Sequence, residues 1–186
     1  DNINEIAEYI VSDGKGILAA DESNPTCGKR FDSIGVESSE ENRRDYRELL
    51  FRSDGMVGNI GGVILFDETI RQNAADGTSM VDLISSQGAL PGIKVDKGLQ
   101  QMDDSEESLT QGLDGLDERL KEYFALGARF TKWRAVINIG MGLPSSEAIS
   151  ANMEALADYA KIVQNNNMVP MVEPEVLMEG DHSIDA

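Results

Sequence analysis

FTKWRAVI (130–137) is the stretch that decides the fold of this 186-residue chain. It is apolar and β-branched enough to read as a buried strand, yet Lys132 and Arg134 interrupt it two positions apart. Side chains of a strand alternate faces, so these two cations share one face and Trp133 takes the other. The pattern recurs in GIKVDK (92–97), which carries Lys94 and Asp96, and in VPMVEPE (169–175), which carries Glu173 and Glu175. A fourth strand, ILAADES (17–23), places Asp21 and Ser23 on one face by the same rule. Buried charge is costly unless paired, so these seven ionisable side chains point to an active site assembled from strand ends.

Outward from these runs, strands are expected at 17–22, 61–66, 92–97, 130–136 and 169–175. The intervening segments read as helices. Residues 38–52 open on Ser38 with Glu41 three positions later, the spacing of a capping box. Residues 79–87 stop at Gly88, a helix terminator. In 113–126 the residues Leu113, Leu116, Leu120 and Phe124 repeat at helical spacing, as do Ile149, Met153, Leu156, Ala160 and Val163 in 146–165. Strands alternating with helices imply a parallel α/β sheet. A doubly wound sheet would bring a glycine-rich phosphate loop, and the sequence has none; polar residues near the ends of most strands favour a (β/α)₈ TIM barrel. Such a barrel needs eight strands and typically about 250 residues, so residues 1–186 are expected to form a single incomplete barrel domain with the first five βα units of a longer protein.

Composition narrows the function classes. A formal charge of −18 argues against nucleic acid or an anionic membrane as partner, though not against a small anionic substrate met by locally gathered cations. No apolar run approaches the ~18 residues of a membrane span, and DNINEIAEYIVSDG (1–14) carries no secretory pattern, so secretion is not expected. The chain opens without Met, so a natural N-terminus or a transit peptide is expected to lie upstream. One cysteine, Cys27, and one histidine, His182, leave no disulfide framework and no Cys/His metal cluster.

The carboxylates carry the clearest chemistry. Glu173 and Glu175 share a face, so their pKa values should separate and one of the two should serve as general acid or base. Lys132 and Arg134 suit a phosphate or a developing oxyanion, or else balance the two glutamates structurally. Lys94 and Asp96 form a further pair. Asp21, next to Glu22, reads on its own as a helix cap or loop acid. Lys29, Arg30, Arg43 and Arg44 read individually as solvated helix charges, and DDSEES (103–108) as a solvated acidic loop.

Seven motifs together resemble one family. GKGILAADES (14–23), EENRRDYRELL (40–50), GGVILF (61–66), PGIKVDKG (91–98), QGLDGL (111–116), KWR (132–134) and VPMVEPE (169–175) look like the class I, Schiff-base-forming fructose-bisphosphate aldolases, in that family's order from about residue 5 to residue 182. ESNPTCGKR (22–30) further resembles the plastid-type branch. The resemblance implies a metal-independent, cofactor-free glycolytic, gluconeogenic or Calvin-cycle lyase that interconverts fructose 1,6-bisphosphate with dihydroxyacetone phosphate and glyceraldehyde 3-phosphate. It gives catalytic roles to Asp21, Lys94, Lys132, Arg134, Glu173 and Glu175: Asp21 handles the hydroxyl proton whose loss breaks the carbon–carbon bond, Glu173 is acid and base in carbinolamine dehydration, and Glu175 balances the lysines. Lys132 assists the same dehydration, Arg134 supports it electrostatically, and Lys94 contacts the substrate. Ser23, Arg30, Arg43 and Asp96 fall at substrate-binding positions, as does Thr26, where family members can have serine. It implies a homotetramer in the cytosol or plastid stroma, with a sugar phosphate as partner. The family's Schiff-base lysine belongs to the sixth barrel strand, beyond VPMVEPE, so the chain by itself is expected to be inactive.

Two other classes compete. A non-catalytic scaffold or binding protein on the same fold would explain the missing lysine but has no need of a buried charge cluster. A magnesium-dependent barrel enzyme would use the carboxylates as ligands, against which the interleaved lysines would repel the ion.

Overall fold

The computed structural model describes residues 2–186. Five strands form one all-parallel sheet: β1 (Gly16–Ala20), β2 (Ile60–Leu65), β3 (Leu90–Lys94), β6 (Phe130–Ile137) and β7 (Val169–Val176), in the order β1-β2-β3-β6-β7. A small antiparallel hairpin, β4 (Leu99–Gln101) with β5 (Ser108–Thr110), projects between β3 and β6. Each strand of the main sheet therefore pairs with the next in sequence, the barrel order rather than the reversal of a doubly wound sheet.

The helices agree with that reading. α3 (Glu40–Phe51), α5 (Met80–Ser86), α6 (Leu116–Leu126) and α7 (Ser146–Asn165) send Phe51, Ile84, Leu120 and Tyr159 into one core with Val63, Leu65, Ile93 and Trp133 from the sheet's outer face. The inner face carries the opposite parity of residues and is closed at its N-terminal end by α1 (Ile3–Ile10), whose Ile10 packs with Ile64 and Phe130. Two further helices, α2 (Asn24–Asp32) and the single-turn α4 (Asp67–Ile70), follow the C-terminal ends of β1 and β2.

The caps explain the boundaries. Asn2 and Glu5 form a capping box for α1; Ser79 and Ser145 cap α5 and α7 through their side chains. The α3 cap is Ser39, whose Oγ accepts from the Asn42 amide, one residue later than the expected Ser38. Gly88 follows α5 at φ +83°, a left-handed turn that suits glycine.

Three further expectations need correction. VPMVEPE is a half-buried strand at the edge of the sheet rather than a buried one. The DDSEES segment is not wholly solvated: Glu107 is buried and accepts from the backbone amide and hydroxyl of Ser145, tying the hairpin to the start of α7. Helices α1, α2 and α4 and the hairpin itself add to the elements expected from the sequence.

Candidate active site

The inner face of the sheet ends in a cleft of about 1110 Å³, lined by residues from the C-terminal ends of β1, β3, β6 and β7 and from the loops that follow. Asp21 stands one residue past β1, and Lys132 stands in the middle of β6. The Lys132 ammonium lies 3.1 Å from Asp21 Oδ2 and 3.5 Å from Glu173 Oε1, so one cation bridges two carboxylates from the two edges of the sheet. Lys94 donates to the carboxylate of Asp96, which also accepts from the amides of Gly98 at 3.1 Å and Arg134 at 3.3 Å. Arg134 pairs with Glu175 nearer the mouth.

The electrostatics separate these groups. Burial pulls the Lys132 pKa down, but the Asp21 and Glu173 carboxylates outweigh it and hold it above the ordinary lysine value. Lys132 is therefore a fixed cation rather than a proton source at neutral pH. Glu173 is pushed up by burial, against the lowering effect of Lys132. Glu175, hydrogen-bonded by Arg134, is held below its usual value. The two glutamates part in the sense their shared face requires, leaving Glu173 the carboxyl more ready to hold and release a proton.

Ten of the eleven residues singled out from the sequence reach this cleft. Ser23 and Thr26 stand at the start of α2 with their hydroxyls 3.0 Å apart. Arg30 lines the rim, its guanidinium 2.5 Å from Glu22. Asp96 lines the wall but is nearly buried and engaged by three donors, so here it orients Lys94. Arg43 does not line the cleft: its side chain is bidentate on Glu68 at 2.6 and 2.8 Å and also donates to the Ser38 carbonyl. Its position on α3 points it at α4, away from the strand ends.

Residues that strand parity could not find complete the cleft. Arg119 on α6 donates to the carbonyls of Val95 and Gly112, holding the loop that carries Asp96. Arg71, after α4, bridges Asp67 and Glu122 on the far wall. Arg119 sits on a helix and Arg71 caps the end of one, positions where a lone arginine reads as a surface charge, so no local signal distinguishes them. Among the described residues no group of three or more His, Cys, Asp or Glu side chains is arranged to hold a metal ion, and no helix is long and apolar enough to cross a membrane.

Comparison with known proteins places this geometry. The family described as fructose-bisphosphate aldolase class-I matches residues 2–186. A probable fructose-bisphosphate aldolase class 1 of Xanthomonas campestris is 54% identical over 182 residues, covering 97% of this chain and 54% of that protein. The cytosolic fructose-bisphosphate aldolase 6 of Arabidopsis thaliana is 55% identical over 179 residues, 96% of this chain and 50% of the relative. A chloroplastic aldolase of Chlamydomonas reinhardtii is 54% identical over 180 residues, 96% and 48% of the two chains. Among solved structures, the aldolase of Plasmodium falciparum, determined with TRAP and a small-molecule inhibitor, superposes with a TM-score of 0.96 at 50% identity, over 98% of this chain and 54% of that one. The sheet is thus the first part of a TIM barrel, and the chain spans about half the length of the curated relatives it matches.

Proposed function

The chain belongs to the class I fructose-bisphosphate aldolase family, and from that premise we propose that it supplies the acid–base half of an aldolase active site. The reaction is the reversible cleavage of fructose 1,6-bisphosphate to dihydroxyacetone phosphate and glyceraldehyde 3-phosphate. A lysine amine beyond this chain, on the sixth barrel strand, forms the Schiff base with the substrate carbonyl. Glu173, its pKa raised by burial, gives a proton to the departing hydroxyl as the carbinolamine loses water. The Asp21 carboxylate then takes the proton of the hydroxyl next to the scissile bond. The bond breaks, its electron pair passes to the iminium to form an enamine, and the aldehyde leaves. Lys132 stays charged throughout and holds both carboxylates on the reacting carbons. Lys94 contacts the substrate beside these carbons, Arg134 supports the developing charge, and Ser23, Thr26 and Arg30 at the rim suit a phosphate group.

The observation that carries this reading is the single Lys132 ammonium between Asp21 and Glu173. The same reading makes residues 1–186 part of one barrel domain and the enzyme metal-independent. It makes the assembled enzyme a homotetramer, and the relatives' names favour the cytosol or a plastid. The test is the intact mass of the protein after dihydroxyacetone phosphate and borohydride, with and without a chelator. A substrate-dependent adduct that the chelator leaves intact is expected; no adduct in the protein that carries the remaining strands would overturn the proposal.

A further inference from the structure

Asp21 lies beyond the ladder that should hold it. The last β1 residue paired with β2 is Ala20, opposite Leu65, so no sheet hydrogen bond fixes Asp21 or Glu22. Yet Asp21 is nearly buried and meets Lys132 at 3.1 Å. What holds this stretch is Arg47, on α3, which is completely buried. Its Nε donates to the Ala20 carbonyl at 3.3 Å, and its Nη2 donates to the Glu22 carbonyl at 2.7 Å. One rigid guanidinium thus binds the peptide leading into Asp21 and the peptide leading out of Glu22. Glu22 supplies the counter-charge, with Oε2 at 3.2 Å from Arg47 Nη2, and is itself held by Arg30 at 2.5 Å and the Tyr46 hydroxyl at 3.2 Å. Arg47 Nη1 is buried with no hydrogen-bond partner among the described residues. A buried Arg–Glu pair adds little stability over well-packed apolar residues, and an orphaned donor subtracts from it. Stability alone is therefore a weak account of this arginine; geometry is a stronger one.

We propose that Arg47 is a positioning residue for the aldolase reaction, clamping the backbone on both sides of Asp21 so that its carboxylate is presented to Lys132 and the substrate hydroxyl. The inference rests on the aldolase reading above. Lysine at this position keeps the charge but cannot span two carbonyls, and glutamine keeps neither the charge nor the reach. The test uses the enzyme that carries this chain together with its remaining strands, comparing wild type, R47K, R47Q, D21N and the D21N/R47K double variant. Borohydride trapping with dihydroxyacetone phosphate counts competent sites, because forming the Schiff base does not use Asp21. Cleavage rates per trapped site then remain interpretable for a variant that folds incompletely.

A misplaced acid–base group costs on the order of 10²-fold, so kcat per trapped site should fall by about that factor in R47K and R47Q while KM holds. In the D21N background, adding R47K should change kcat by no more than about twofold, because the group being positioned is already gone. Unchanged kcat per trapped site in both single variants would overturn the proposal, as would a full multiplicative loss in the double variant. A wild-type enzyme that traps no substrate would instead remove the aldolase reading and this inference with it.

Discussion

The two ends of one sheet face have been built for opposite purposes. Along β6, Phe130, Lys132 and Arg134 share the inner face, stepping from the N-terminal end of the strand to its C-terminal end. At the lower end Phe130 is fully buried against Ile10 and Ile64. It fits there because β2 and β3 offer glycines: a Cβ on Gly92 would stand 2.3 Å from the Phe130 ring, and one on Gly62 would stand 2.9 Å away. At the upper end the same parity delivers Asp21, Lys94, Lys132 and Glu173, and the space is left open as a cleft. The dry end sets the strand register, and the ionic end depends on that register for its distances. Alternation alone cannot say where one regime gives way to the other. Side-chain volume decides the lower end and charge pairing the upper.

Removing Lys132 should break this division most severely. Taking away one partner of a buried pair costs about 3–5 kcal/mol, so K132M should be strongly destabilised. In the protein that carries the remaining strands, the proposed cleavage reaction should also slow on the order of 10²–10⁴-fold, the usual worth of an acid–base system. The loss should depend on pH in a defined sense. Glu173 already has a raised folded pKa, so its contribution to stability is full below the unfolded glutamate value and is lost as pH rises through the folded one. Without Lys132 the folded value moves further up. The deficit of K132M, read from urea midpoints, should be larger at about pH 8 than at about pH 4, either side of the range in which a raised glutamate titrates. Equal deficits would show that the ammonium does not hold Glu173 in its charged form.

The apolar end should fail differently. F130A is expected to cost about 3–5 kcal/mol through the void it leaves. G92A forces a methyl group into the ring and should cost about 1–3 kcal/mol in the wild-type background. In F130A the same methyl group enters empty space, so the double variant should be better than the sum of the singles by about 0.5–3 kcal/mol. Chemical denaturation of the four proteins closes the cycle. Simple additivity would mean that Gly92 is there for another reason than the ring.

Much of the ionic end was legible in the sequence because strand parity is a rigid rule. Once FTKWRAVI reads as a strand, Lys132 and Arg134 must share a face, and the same step yields Glu173 with Glu175. The strand expected at 92–97 ends at Lys94, and Asp96 reaches that lysine from the loop beyond it, where parity does not apply. Helical arginines obey no such rule. Arg43 and Arg47 stand four residues apart on α3, yet one is spent on Glu68 outside the cleft and the other brackets Asp21. Only the position of α4 and of the β1 end distinguishes them. Helix α2, NPTCGKRFD, was missed because Pro, Gly and polar residues leave it little apolar periodicity; it forms behind Ser23 with Pro25 in its first turn. Glu107 escaped notice in an acidic run because its partners, the Ser145 amide and hydroxyl, lie 38 residues away. The glycine notches beneath Phe130 were invisible for the same reason, since a glycine reveals a close approach only when the approaching ring is known.

Depth within the cleft gives the finest test of the comparison. Arg134 and Glu175 are 37% and 41% exposed at their side chains, whereas Lys132 and Asp21 are 11% and 10% exposed. Water and salt therefore screen the outer pair, and E175Q should cost only about 0.2–1 kcal/mol. Its pH dependence should run opposite to that of Glu173. The Arg134 hydrogen bond depresses the Glu175 pKa, so the pair's contribution is present above the unfolded glutamate value and is lost as pH falls through the lower folded value. At about 1 M salt the screening length shrinks to roughly 3 Å, and the melting temperatures of E175Q and wild type should converge. K132M should keep most of its deficit under the same conditions, because Asp21, the nearer of the two carboxylates it strands, is only 10% exposed, while the Glu173 share, at 32% exposed, is partly screened. If both deficits vanished together in salt, the cleft would be uniformly wet and Glu173 would have no buried surroundings to raise its pKa.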